Sequence, residues 1–299
     1  MPIPDEVTGQ EIDPSVRQEL MSLPKTLADD VARNLVMVAQ LLDEDPEAAY
    51  EYSRIALRLA SRVAAVREAA GFASYATARY GEALAEFRAT KRMTGSVDLW
   101  PVMADCERGM GRPERALAMA GAPEVQKLDK AGQVEMRLVA AGARQDMGQP
   151  EAAVVTLQGP ELAAHGMNPW TARLRYAYAD ALLAVDRKAE AREWFAKAAE
   201  ADQSGSTDAS DRLAELDGVE FVDALGEEHA EHGPAKSAAP ADAQDAEDAE
   251  DADTDEDDDD DDEDDVVIAE AEVDITDEAD PASFLDSPFK EPGTGSTRA

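Results

Sequence analysis

Five times along this chain a short turn runs into a helix opening built around an alanine. The openings are Pro46-Glu-Ala-Ala49, Gly81-Glu-Ala83, Pro113-Glu-Arg-Ala116, Pro150-Glu-Ala-Ala153 and Lys188-Ala-Glu-Ala191. From Ala49 the reference alanine recurs at steps of 34, 33, 37 and 38 residues. Proline is tolerated in a first helical turn because its missing N–H had no partner there, and glutamate suits the positive end of the helix dipole. The spacing predicts five helix pairs. One such pair cannot bury its apolar face alone, so neighbours must stack on each other to make a continuous core.

The second and fifth copies carry a family pattern. In the second, Gly71 allows close helix approach, Tyr80 sits in the turn, and Ala83 is followed four residues on by Phe87. In the fifth, Ala191, Phe195 and Ala198 repeat the second-helix spacing, while Trp100, Gly111 and Gly148 come from the third and fourth. Over 25–202 the chain resembles the tetratricopeptide repeat family, whose period is about 34 residues. Thr90 stands where that pattern has a small apolar residue, and Ser53 where it has an aromatic one. The two long steps call for longer turns at Gly121-Ala-Pro123 and Gly159-Pro160.

The resemblance implies an all-α fold, a right-handed α–α superhelix. Residues 1–24 are expected to form an N-terminal extension and capping helix, from Asp13 to Leu23. Residues 25–202 hold the repeats. A C-terminal capping helix falls within 203–225, with Leu213 and Leu216 on one face, and 226–299 forms a disordered acidic tail.

If the family geometry applies, the first helix of each pair lines a concave groove. That face then includes Asn34 and Val38, followed by Glu68, Phe72 and Tyr75, then Asp105 and Arg108. Gln145 and Asp146 come next, and Tyr176, Asp180 and Leu183 last. Asn34, Phe72, Tyr75, Arg108, Tyr176 and Asp180 are the candidate partner contacts. For each, the plainer alternative is packing between repeats or simple solvation. Some family members clamp chaperone C-termini with basic residues at fixed groove positions. Here Asn34, Glu68, Pro101, Leu138 and Tyr176 occupy the place of the first lysine, so two carboxylates would meet no cation.

Charge divides the chain. Up to Leu216 the net charge is −9; from Asp217 it is −29. The second part has too little apolar surface to offset its conformational entropy. Three uses of that tail stay open: a solubilising brush, a cover for a basic partner, or a segment whose apolar clusters fold back onto the groove. The run Asp253 to Asp265 lacks the central glycine and flanking helices of a calcium loop.

Catalytic signatures are absent. There is no phosphate loop, no nucleophile elbow and no zinc-protease helix motif. Cys106, the lone cysteine, reads as a core thiol, His165 has no evident partner, and His229 and His232 stand i, i+3 among Glu227, Glu228 and Glu231 in the tail, where nothing is expected to hold metal ligands in place. Neither a secretory signal nor an apolar stretch of about 18 residues is visible. The expected protein is a cytoplasmic, non-enzymatic scaffold without cofactor or metal that holds a peptide or helix of a protein partner in its groove. Direct contact with nucleic acid or membrane is not expected. The alternative is a chaperone or antagonist of a basic, nucleic-acid-binding protein, acting through the acidic tail.

Overall fold

The computed structural model describes residues 1–163 and 168–218. Their regular structure is all helical, as expected, and no strand occurs among the described residues. A short helix α1 (Pro14–Leu20) precedes five consecutive pairs. These are α2 (Lys25–Leu41) with α3 (Pro46–Ala60), α4 (Ala64–Ala76) with α5 (Tyr80–Thr94), and α6 (Trp100–Gly109) with α7 (Pro113–Ala120). The last two are α8 (Lys130–Asp146) with α9 (Pro150–Leu157), and α10 (Thr171–Ala184) with α11 (Lys188–Ala201). A final helix α12 (Ala209–Leu216) packs on α11. No described helix is long and apolar enough to cross a membrane.

The reference alanines explain the packing. Ala49, Ala83, Ala116, Ala153 and Ala191 are all fully buried. Twelve residues before each of them, the first helix places Met37, Gly71, Ala104, Ala141 and Ala179, which are also buried. In four of the pairs both places carry small side chains, which let two helices approach to the 8–10 Å of close packing; Met37 of the first pair is larger. At Gly71 the approach is tightest: a Cβ there would lie 2.5 Å from the Phe87 ring.

A recurrent turn keeps this register in four of the five pairs. Ala78, Gly111, Gly148 and Asp186 adopt left-handed backbone with φ of 58°, 73°, 69° and 58°. Each lies five residues before its reference alanine. In each turn the next amide reaches back over five residues to a helix carbonyl. The bonds are Arg79 to Ser74 at 2.8 Å, Arg112 to Glu107 at 2.9 Å, Gln149 to Arg144 at 2.8 Å and Arg187 to Leu182 at 2.9 Å. Such a bond satisfies a carbonyl that the helix end would otherwise orphan.

The longer steps have a visible cause. Helices α7 and α9 have 8 residues each, whereas α3 and α5 have 15 and α11 has 14. After each short helix comes a 3₁₀ turn, Pro123–Lys127 and Pro160–Ala163, at the places marked by Gly121-Ala-Pro123 and Gly159-Pro160. Glu161 ties the second turn to α8, accepting from Arg137 at 2.6 Å and from Lys130.

Both ends are covered. Val16 and Leu20 of α1 join the core of Val31, Leu35 and Val38, and Glu19 accepts from the Ala65 amide at 3.0 Å at the open start of α4. Tyr52 donates to the Pro2 carbonyl at 2.6 Å. At the other end Leu213 and Leu216 lie against the last core cluster, and Arg192 pairs with Asp217.

Gly148 has open space where a Cβ would go, so its value is purely conformational. Gly148→Ala should therefore lower stability, and Ala78→Gly should raise it, by about 0.5–1 kcal/mol each. Denaturant midpoints of the two variants moving in the same direction would refute this account of the turns.

Candidate functional site

The first helices of successive pairs are joined side by side through polar groups. The Tyr75 hydroxyl on α4 donates to Asp105 on α6. Arg108, one turn further along α6, donates from Nη1 to the other Asp105 oxygen at 2.7 Å and from Nε to Asp146 of α8 at 2.6 Å. Its guanidinium lies over Gly142, where a Cβ would come within 3.0 Å. With no side chain at Gly142 in its way, Arg108 joins α6 to α8 directly, and α4 is tied in through Asp105 and Tyr75. Burial first, then the Asp105 charge, keeps the Tyr75 phenol protonated well above its ordinary value.

Beside this chain of bonds opens a cleft of about 460 Å³ between α8, α10 and the segment leading into α12. Arg108, Gln145, Tyr176, Asp180, Thr207 and Asp208 are among its lining residues. The Tyr176 ring meets Phe195 edge-on at 5.3 Å, and burial together with a hydrogen bond to Asp208 pushes its phenol up to about 12. Arg212 of α12 comes within 3.5 Å of Asp180.

The wall contributed by the segment before α12 is built on Asp202. Its carboxylate accepts from the Ser206 amide at 2.8 Å and from the Thr207 amide and hydroxyl at 2.6 Å each. Burial opposes ionisation here, but the bonds from Thr207 and Ser206 outweigh it and hold the group down at about 2. Deeper in, Glu135 of α8 is buried and receives Arg173 of α10 at 2.6 Å. Burial nevertheless leaves the Glu135 carboxyl above its ordinary value.

Of the candidate contacts, Arg108, Tyr176 and Asp180 meet at this cleft, and Tyr75 is linked to it through Asp105. Asn34 and Phe72 are corrected to interior positions. Asn34 is 5% exposed and donates to the Asp30 carbonyl at 2.8 Å. Phe72 is 7% exposed and packs edge-on against Phe87 at 5.1 Å. Val38 is fully buried as well. In these two pairs Asn34, Val38 and Phe72 of the first helix belong to the core.

Sequence reasoning missed Arg173, Ser206, Thr207 and Asp208. The last three lie beyond the repeats, and the signal for them was the run from Asp202 to Thr207, whose hydroxyls and carboxylate favour a tight self-bonded turn.

Two further groups bear on chemistry. The Cys106 thiol is pushed up to about 12 by burial and by the neighbouring Asp105 and Glu107, which favours the protonated form at neutral pH. Glu68 on α4 is pushed up to about 7, chiefly by burial and then by the Glu19 and Asp98 charges. No group of three or more His, Cys, Asp or Glu side chains suited to a metal ion occurs among the described residues. His165, His229, His232 and the expected tail 226–299 lie outside them. No protein-family model matches the chain, and no curated protein matches its sequence.

The bridge between helices makes a measurable claim. Tyr75→Phe and Arg108→Met should each cost about 1–2 kcal/mol, and the double variant should depart from additivity by about 0.5 kcal/mol or more. Strict additivity in denaturant titrations would mean that the two groups do not act through Asp105.

Glu68 sets a pH dependence. The unfolded chain releases this proton near 4.5, the folded protein near 7. The folded state therefore binds more protons in between, and stability falls as pH rises from about 4.5 through about 7. Glu68→Gln should flatten that slope and exceed the parent in stability at pH 8. A parallel slope in the variant, measured by unfolding at several pH values, would assign the effect elsewhere.

Proposed function

We propose that this chain is a non-enzymatic adaptor of the tetratricopeptide kind, a right-handed helical solenoid that holds an extended or helical segment of another protein. Second-neighbour helix contacts support the architecture: α2 touches α4, α6 touches α8, and α8 touches α10, all among first helices. First helices packed more closely than second helices put curvature on their side. The observation that carries the functional reading is the cleft, where Arg108, Gln145, Tyr176 and Asp180 from three successive pairs share one surface.

The cleft is nearly neutralised from within, since Arg108 and Asp180 have partners of opposite charge. Its ligand gains specificity from shape, from the Tyr176 ring and from hydrogen bonds, more than from net charge. A second reading, favoured by the net charge of −29 from Asp217 onward, makes the tail the active part and its partner a basic protein. Exposed charges of that kind are screened beyond about 8–10 Å at physiological salt.

Peptides selected from a random library against the full chain separate the two. On the adaptor reading, binding weakens about tenfold or more with Tyr176→Ala or Gln145→Arg, a loss of about 1.4 kcal/mol, and persists in high salt. Selection yielding only lysine- and arginine-rich peptides, insensitive to both substitutions and released by salt, would replace the adaptor with the charge-based antagonist.

A further inference from the structure

A second cavity, of about 560 Å³, lies between α5, α6 and α7. Its chemistry is the reverse of the whole chain's. Arg88, Lys91, Arg92 and Arg115 line it together with Trp100, Met103 and Met119, and Glu107 is its one carboxylate among the described residues. Glu107 is buried and already engaged by Arg88 at 3.1 Å, with Arg112 at 3.8 Å. Lys91 lies 4.1 Å from the centre of the Trp100 ring and 3.5 Å from Glu124. The indole N–H is committed to the Met119 carbonyl at 3.0 Å, so the indole presents apolar surface and no free donor.

Arg92 and Arg115 are exposed and make no side-chain hydrogen bond or ion pair to another described residue. Elsewhere among the described residues most arginines are held by carboxylates, and Arg79–Glu47, Arg108–Asp146 and Arg173–Glu135 reach across about one repeat. On a folded part with net charge −9, two unpaired guanidiniums beside an apolar hollow form a local cationic surplus. The chemistry that fits is an acidic segment with aromatic anchors: carboxylates for Arg92 and Arg115, and apolar rings for the surface of Trp100 and Met119.

The chain itself contains such a segment. Asp280–Phe289 sets Asp280 and Asp286 around Phe284, Leu285 and Phe289, and follows the most acidic part of the sequence. We propose that this segment docks in the α5–α7 cavity of its own molecule, with Phe284 or Phe289 against Trp100 and Met119. Reach allows it: the 66 residues from Gly218 to Phe284 can span up to ~200 Å when extended. Tethering raises the effective concentration of such a segment to the order of millimolar, enough for a weak contact to be populated. The site is distinct from the first-helix cleft, and the proposal does not rest on what that cleft binds.

The test uses the full chain with a benzophenone amino acid in place of Phe284. Irradiation followed by peptide mapping should give cross-links at Met103, Met119 or their α5–α7 neighbours. The yield should fall on the order of fivefold or more in Arg92→Glu combined with Arg115→Glu, or when salt is raised to screen the pair. Both arginines are exposed and unpaired, so an unchanged circular dichroism spectrum is expected for the variant. If the double variant does not fold, Arg92→Gln alone with the salt series reads the same contact. A mixture of isotopically light and heavy chains distinguishes contact within one molecule from contact between two. Cross-links at the Tyr176 cleft, cross-links only between molecules, or a yield indifferent to both charge reversal and salt would each overturn the proposal.

Discussion

The left-handed turn between the two helices of a pair governs most of what this molecule does. A single residue with φ near 60–70°, closed by an amide reaching back five residues, fixes where the second helix begins relative to the end of the first. With that angle set, the alanine five residues later can only lie opposite the small residue twelve positions before it. Close approach follows, and with it burial of the larger groups, Phe87 and Phe195, which fill what the small residues leave open. A backbone conformation that costs little at glycine and about 1–2 kcal/mol at other residues thus sets the register of four pairs. At Ala78 and Asp186 the cost is accepted rather than avoided.

Between pairs, the same arithmetic reappears in the charges. Tyr75 and Asp105 are 30 residues apart, Arg79 and Glu47 are 32, and Arg108 and Asp146, like Arg173 and Glu135, are 38. These separations are close to one repeat, so each links similar places on consecutive pairs. Exposed ion pairs of this sort contribute little singly. Their value lies in orientation: with the apolar layers alone, one pair could slide on the next, whereas Arg108 held by two carboxylates and seated on Gly142 leaves little freedom. Half-buried Arg173 on the buried Glu135 does the same inside the layer, where losing the arginine would strand a buried charge.

How legible this was depended on the range of the interaction. Helix starts were marked by local chemistry, proline and glutamate ahead of an alanine, and the second helices open at Pro46, Tyr80, Pro113, Pro150 and Lys188, with only the second one residue off. The short α7 and α9 were signalled by Pro123 and Pro160. The site was less legible because exposure is a tertiary property. Phe72 and Tyr75 sit three residues apart on the same helix, yet one packs against Phe87 and the other reaches Asp105. Nothing local separates an aromatic that fills a layer from one that edges a groove. The wall formed by Ser206 and Thr207 was illegible for another reason: it comes from a segment outside the periodic pattern, folded on its own Asp202.

The distribution of charge on the folded part sharpens the distinction between its two hollows. In the first-helix cleft every cation that can be reached has been matched by a carboxylate from the same or the next pair, so its field is short-ranged and its selectivity comes from contact. Between α5 and α7, Arg92 and Arg115 have no carboxylate partner among the described residues, in a protein that carries 66 acidic residues. Two surfaces so differently compensated can be occupied independently, because a ligand that gains from unpaired guanidiniums gains little where guanidiniums are already paired.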